Sequence, residues 1–218
     1  MTPTERIRRL MESGSVAPEE GARLIDAISR RRPASRLSTL VDPFERFGGG
    51  VAATLGGIVS VASVALALYF GVRFDGMLDL HFDLANPPTL QVAVVDQIAA
   101  WLVPALCFWL YARAVGRNAR LVDFVGTTGL ARLPISVGAL VLVPLVQTTI
   151  AAPTAPSPSL VALVLVTVVV FVANVTWLYR GFKNASGLEG AKHVGGFIGL
   201  VVVAEMASKA TIWALSKS

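Results

Sequence analysis

The chain has 218 residues, 54% of them hydrophobic, and a formal net charge of +5. It is too apolar for an ordinary soluble domain. The positive charge does not favour a nucleic-acid partner either, because the basic residues flank apolar runs and no aromatic side chains are interleaved with them. Residues 47–72 and 133–179 contain no Asp, Glu, Lys or Arg. Composition and charge therefore predict an all-α, polytopic integral membrane protein.

Residues 1–32 are predicted to form a small cytoplasmic helical hairpin. Six apolar side chains recur there at helical spacing on two segments: Ile7, Leu10, Met11, Leu24, Ile25 and Ile28. Pro18 and the two acids after it are typical of a helix start. The pattern MESGSVAPEEGARLIDAI resembles the short helical modules called SHOCT-like. Because about thirty residues bury too little apolar surface to fold alone, we expect this segment to contact a protein partner, a second copy or the membrane surface.

Residues 33–47 are predicted to be a basic linker that ends in an interfacial anchor. Phe44 and Phe47 flank Arg46, and aromatic and basic side chains together are typical of the lipid head-group level. A solvated tether is the alternative.

Residues 48–218 are predicted to form a domain of five transmembrane helices. The expected spans are 50–71, 92–112, 130–150, 160–179 and 194–214. Sixteen of the nineteen Lys and Arg residues fall in the N-terminal segment and in two of the four connections. The positive-inside rule then predicts a cytoplasmic N-terminus and an external C-terminus.

Small residues recur at four-residue steps on two of the spans. Gly49, Ala53 and Gly57 form one series, and Gly195 and Gly199 form another. Such steps let helix backbones approach closely. Packing within the chain is the favoured interpretation, and a homo-oligomer is the alternative.

Ionisable side chains within the spans are the first candidates for chemistry. Glu205 and Lys209 lie four residues apart on span five and so share a helix face. Asp96 and Gln147 are expected at a similar depth, which predicts an intramembrane polar cluster of Asp96, Gln147, Glu205 and Lys209. The cluster is an ion or proton path, a polar cavity, or a structural ion pair between spans two and five. The structural interpretation is favoured, because the spans carry too few polar residues to line a path.

Two connections carry further candidate residues. Between spans one and two, four side chains are of types that bind divalent cations: Asp75, Asp79, His81 and Asp83. Their spacing matches neither an EF-hand nor a zinc motif, so no metal is assigned. Between spans two and three, four charged residues are candidates for a cytoplasmic contact surface: Arg117, Arg120, Asp123 and Arg132. A plain basic boundary at the membrane interface is the alternative.

Short motifs of the transmembrane part resemble the Yip1 family, in its bacterial branch. They are DPF at 42–44, FDGMLDLHF at 74–82, GTTGLARLP at 126–134, SGLEGAK at 186–192 and EMASK at 205–209. The resemblance implies five spans and a cytoplasmic N-terminus. Eukaryotic members of that family look like trafficking factors that engage small GTPases, but GTPase binding is not carried over, since a SHOCT-like segment stands in that position here. Some bacterial members accompany transporter complexes.

No catalytic motif of the common hydrolase, NTP-binding, metalloprotease or redox types occurs in the sequence. We therefore expect a non-enzymatic protein without a cofactor, located in the bacterial inner membrane. Its expected role is that of a scaffold or an accessory subunit of a membrane complex, such as a transporter complex. The alternative is a channel or transporter that moves ions or a small solute along the polar face around Glu205 and Lys209.

Overall fold

The computed structural model describes residues 3–30, 41–151 and 157–215. Helices dominate these residues, in agreement with the predicted all-α class. The chain divides into two units, residues 1–38 and residues 39–218. Most of the predicted basic linker lies outside the described residues.

The N-terminal unit contains two short helices, α1 (Pro3–Glu12) and α2 (Pro18–Arg30). Gly14 turns the chain between them with φ at +70°, a conformation that favours glycine. The side chain of Met11 lies over Gly21, where any Cβ would collide with it. The absence of a side chain at residue 21 thus lets the two helices pack closely.

Among its described residues, the second unit contains six α-helices. They are α3 (Gly49–Phe70), α4 (Leu90–Ala114), α5 (Leu121–Leu130), α6 (Leu133–Ala151), α7 (Pro158–Ser186) and α8 (Gly190–Leu215). Among the described residues, five segments are long and apolar enough to cross a membrane, with α5 and α6 together forming the third. This confirms the predicted number of candidate spans. Helices α7 and α8 bury little of their surface inside the chain, and their apolar side chains are available to lipid.

The third span differs from the prediction because it begins at Leu121 rather than near residue 130. The GTTGLARLP segment was expected in a connection, but most of it lies within α5 and the break that follows. Thr127 and Thr128 satisfy their hydroxyls within the helix, by donating to the carbonyl oxygens of Asp123 and Phe124. Ala131 and Arg132 form a turn between the two helices: Ala131 still donates to the carbonyl oxygen of Thr127, whereas Arg132 donates to that of Gly129, three residues earlier, and α6 then begins at Leu133. The third span is therefore a discontinuous helix.

Glycines bring α3 and α5 into close contact. A Cβ on Gly56 would lie 2.8 Å from the Cα of Gly129, and a Cβ on Gly126 would lie 2.8 Å from the backbone nitrogen of Ala53. Nothing in the described structure lies within 4 Å of a Cβ built on Gly195 or Gly199. The close helix contact within the chain thus includes Gly49 and Ala53 of the first series expected from the sequence, whose backbones lie against Gly126, whereas the second series takes no part in it.

The connection between α3 and α4, residues 71–89, folds against the helices. Strands β1 (Val72–Arg73) and β2 (His81–Phe82) pair antiparallel, with Val72 opposite Phe82. Phe74 and Met77 from this connection are fully buried. The 71–89 connection is therefore part of the folded core rather than a solvated loop.

Phe44 was expected at the lipid head groups but is buried within the second unit. It lies in a 3-10 turn, Pro43–Glu45, and its ring meets Trp177 edge-on with centroids 6.3 Å apart. The ring also fills the space beside Gly181. Asp42 accepts hydrogen bonds from the Asn184 side chain, which fixes this turn on α7.

Candidate functional site

Arg132 lies at the break between α5 and α6 and is the largest fully buried side chain of the described residues. Its relative exposure is 1%. Its Nη1 donates to the carbonyl oxygens of Ala100 at 3.1 Å and Gly76 at 3.3 Å. Nε and Nη2 have no partner among the described residues. The prediction that Arg132 belongs to a cytoplasmic contact surface is therefore wrong: its partners are in the interior.

Glu205 of α8 holds the 71–89 connection from the other side. Its Oε2 accepts a hydrogen bond of 3.0 Å from the backbone nitrogen of Leu78. The carboxylate is near enough to Arg132 for the two charges to interact. A Cβ at position 76 would collide with this carboxylate, so Gly76 makes room for it. We call Arg132 and Glu205, with the backbone of residues 76–78 between them, the Arg132–Glu205 pair, in which Arg132 is fully buried and Glu205 is partly exposed.

Lys209 extends this arrangement one helical turn along α8. Its Nζ forms an ion pair with the carboxylate of Asp79 and lies 3.7 Å from Oε1 of Glu205. Burial alone would raise the pKa of Asp79, but the hydrogen bond from Lys209 and the nearby positive charges outweigh it. The pKa of Asp79 consequently lies below its ordinary value.

The Asp79–Lys209 ion pair predicts a loss of stability in acid. Because the folded-state pKa lies below the unfolded value of about 3.9, the stabilisation is complete above that value and is lost as the pH falls through the folded-state pKa. We expect the melting temperature of the detergent-solubilised protein to drop between pH 6 and pH 3, and to drop less in Asp79→Asn. Asp83→Asn is the control and should keep the wild-type profile. Equal drops in all three proteins would contradict the assignment.

The predicted intramembrane cluster is assembled only in part. Glu205 and Lys209 share a face of α8, as their spacing suggested. Asp96, which is 2% exposed, is instead bound by Arg73, whose Nε and Nη2 donate to the carboxylate at 2.9–3.1 Å. Gln147 is exposed on α6, a helix that packs mainly on α7 and α3. Asp96, Glu205 and Lys209 thus each bind the 71–89 connection, Glu205 and Lys209 also interact with each other, and Gln147 lies apart.

Three of the four candidate metal ligands lie together. The ligand atoms of Asp75, Asp79 and His81 all lie within 4.8 Å of one another. Asp83 has a different role, because its Oδ1 accepts from the backbone and side-chain nitrogens of Asn86. Both carboxylates of the group already have partners, because Asp75 is hydrogen-bonded to Nδ1 of His81 at 2.8 Å and Asp79 forms an ion pair with Lys209. Nothing else in the geometry points to a cation.

The remaining candidates for a cytoplasmic contact surface lie at the start of α5. Arg120 and Asp123 form a bidentate ion pair with distances of 2.9 and 3.0 Å. The hydrogen bond to Asp123 raises the pKa of the fully exposed Arg120. Arg117 is exposed as well. These three residues are accessible, as a contact surface requires.

Several buried polar residues were not recognised as a group from the sequence. Both side-chain nitrogens of His193 and both amide atoms of Asn174 and Gln97 have no partner among the described residues. His193 is packed between the rings of Phe182 and Tyr179, with centroids 5.3 and 4.4 Å away. In the sequence, such buried polar residues are marked only by their occurrence within an apolar run. That pattern does not show whether the side chain faces the interior or the lipid.

Comparison with models of protein families, with curated proteins and with solved structures finds no match for this chain. The resemblance to the Yip1 family rests on the motifs given above. What the structure establishes of the protein's class is five helical segments that are long and apolar enough to cross a membrane.

Proposed function

We propose that the protein is a non-enzymatic scaffold or accessory subunit of a membrane complex in the bacterial inner membrane, of the kind that the Yip1 resemblance implies. Its N-terminus is cytoplasmic and its C-terminus external, because the basic residues concentrate on one side of the spans. The excess of basic residues on that side remains when Arg132, which is buried in the interior, is left out of the count. The transmembrane part provides the frame, and the N-terminal unit provides the contact with a partner.

The observation that carries this proposal is how the polar groups of the spans are used. Arg132, Glu205 and Lys209 all bind the 71–89 connection, through its backbone or through Asp79. Ionisable groups at membrane depth are costly, and here they fix a segment of the protein itself. Side chains that conduct an ion or a solute must exchange partners. These side chains instead hold one connection against α4, the break between α5 and α6, and α8. The arrangement supports a rigid frame.

The N-terminal unit supports a role in partner binding. The apolar face of each helix is exposed in part. Its exposed side chains are Leu10 on α1 and Leu24 and Ile28 on α2. Two helices of 10 and 13 residues bury too little surface to be stable alone. An apolar face of this kind is stabilised when a partner covers it.

The test is recovery of a companion protein from membranes with the intact chain in mild detergent. Wild type should bring down a companion in stoichiometric amount, and the double variant Leu24→Ser/Ile28→Ser should lose it while staying in the membrane fraction. Arg23→Gln, a change of charge on the same helix, is the matched control and should retain the companion. If wild type recovers only itself in several mild detergents, the accessory-subunit role is refuted.

A transporter or channel is the second candidate, favoured by one observation. The third span is discontinuous at Arg132, and two nitrogens of this buried guanidinium have no partner among the described residues. Broken helices with exposed polar groups recur at transporter binding sites. Proteoliposomes decide between the two functions: the scaffold predicts background ion flux for wild type and for Glu205→Gln alike. Wild-type flux that Glu205→Gln abolishes would establish transport.

A further inference from the structure

A cavity of about 230 Å³ opens beside the Arg73–Asp96 ion pair. It lies where α4 begins and α8 ends, and its lining is part polar and part apolar. The lining residues are Arg73, Gln91, Val92, Val95, Asp96, Ile212 and Leu215. Since Gln91 lies in the first turn of α4 and Leu215 is the last residue of α8, the cavity stands at the level where these two spans leave the membrane.

Arg73 has hydrogen-bonding capacity left at this cavity. Its Nε and Nη2 are taken by Asp96, while Nη1 has no partner among the described residues. The Arg73 side chain is 35% exposed, so the two N–H groups of Nη1 are accessible. Asp96 holds the planar guanidinium in place, which lowers the entropic cost of binding a second group. A fixed guanidinium with free donors suits a phosphate.

An apolar trough continues from this cavity along the groove between α4 and α8. Its volume is about 250 Å³, and it shares Val95 and Leu215 with the cavity. Its other lining residues are Ile98, Ala99, Leu102, Val103, Leu106 and Thr211. From Val95 to Leu106 a helix rises about 16 Å, close to half of a ~30 Å hydrocarbon core. The length of the trough along α4 therefore matches the thickness of the hydrocarbon layer of one leaflet.

We propose that the cavity and the trough together bind one phospholipid. Its phosphate accepts hydrogen bonds from Nη1 of Arg73 and from the amide of Gln91, and one acyl chain lies along the trough. A free phosphate would use only the upper part, and the continuous apolar extension is what assigns a lipid. The group recognised is the phosphodiester, which all phospholipids share. Because the Arg73–Asp96 pair has no net charge, we expect zwitterionic and anionic phospholipids to bind with comparable affinity.

This inference rests on the proposed membrane location and is independent of the scaffold role. The intact chain is purified in mild detergent, and bound phospholipid is counted by native mass spectrometry. Wild type should retain one phospholipid. Arg73→Lys keeps a positive charge on Asp96 but loses the free donors of the fork, and should lower the occupancy about tenfold or more.

A second pair of variants tests the trough without touching the ion pair. Val103→Phe fills it and should also lower the occupancy, whereas Val137→Phe, at an exposed position on α6, should leave it unchanged. If Arg73→Lys and Val103→Phe both retain lipid at wild-type levels, the bound lipid is non-specific annular lipid and the proposed site is refuted. Displacement of the lipid by millimolar inorganic phosphate would overturn the lipid as the ligand. Extraction of the chain from membranes by alkaline carbonate would instead refute the membrane location itself.

Discussion

Replacing Arg132 by methionine is expected to destabilise the protein by about 2–6 kcal/mol, because two buried carbonyl oxygens lose their donor and each costs about 1–3 kcal/mol when left unpaired. The carbonyl oxygens of Gly76 and Ala100 would lose their donor, and Glu205 would lose the buried positive charge that it faces. The change in the free energy of unfolding is measured by denaturant titration in mixed micelles.

Arg117→Met is the matched control, because Arg117 is exposed and has no comparable contacts. Its effect should stay within about 0.5 kcal/mol. The double variant Arg132→Met/Glu205→Gln should lose less stability than the sum of the two single variants, since it removes two charges that attract each other. If Arg132→Met unfolds at the same denaturant concentration as Arg117→Met, Arg132 does not hold the 71–89 connection.

Replacing Gly56 by valine is expected to have the next largest effect, about 1–3 kcal/mol or more. The added Cβ would lie 2.8 Å from Cα and 2.9 Å from the carbonyl carbon of Gly129, and both are backbone atoms that cannot rotate away. Helices α3 and α5 would have to separate. That movement would also disturb Trp101, whose Nε1 donates to the carbonyl oxygen of Val125 at 2.7 Å.

Gly199→Val is the control for this second substitution. It introduces the same branched side chain into a membrane-length helix, and a Cβ there meets nothing within 4 Å in the described structure. Both variants are compared by the same titration, so the difference between them reports the α3–α5 contact alone. Equal stability of the two variants would show that α3 and α5 are not packed backbone to backbone.

The number of spans could be predicted from the sequence because each span is a local feature, a run of apolar residues of sufficient length. The start of the third span could not. Residues 121–130 contain Asp123, two threonines and two glycines, which together look like a connection. In the structure the threonine hydroxyls bond to their own helix and the glycines face α3. Neither effect is visible in a hydropathy average.

The candidate site was predictable only where its members are close in sequence. Glu205 and Lys209 share a face because they are four residues apart on one helix. The partners of Arg132, by contrast, lie 32 and 56 positions earlier in the chain, and Asp96 binds a residue 23 positions before it. Depth in a membrane can be estimated from the sequence, but the direction in which a side chain faces cannot. That is why Asp96 was assigned the wrong partners.

The 71–89 connection has a consequence for the order of assembly during translation. Leu78 and Asp79 bind Glu205 and Lys209, which are synthesised 127 and 130 residues later. These contacts can form only after the final helix has entered the bundle. A nascent chain that stops before residue 190 would carry this segment without the carboxylate and the ammonium group that secure it. Closure of the connection thus follows the synthesis and insertion of α8.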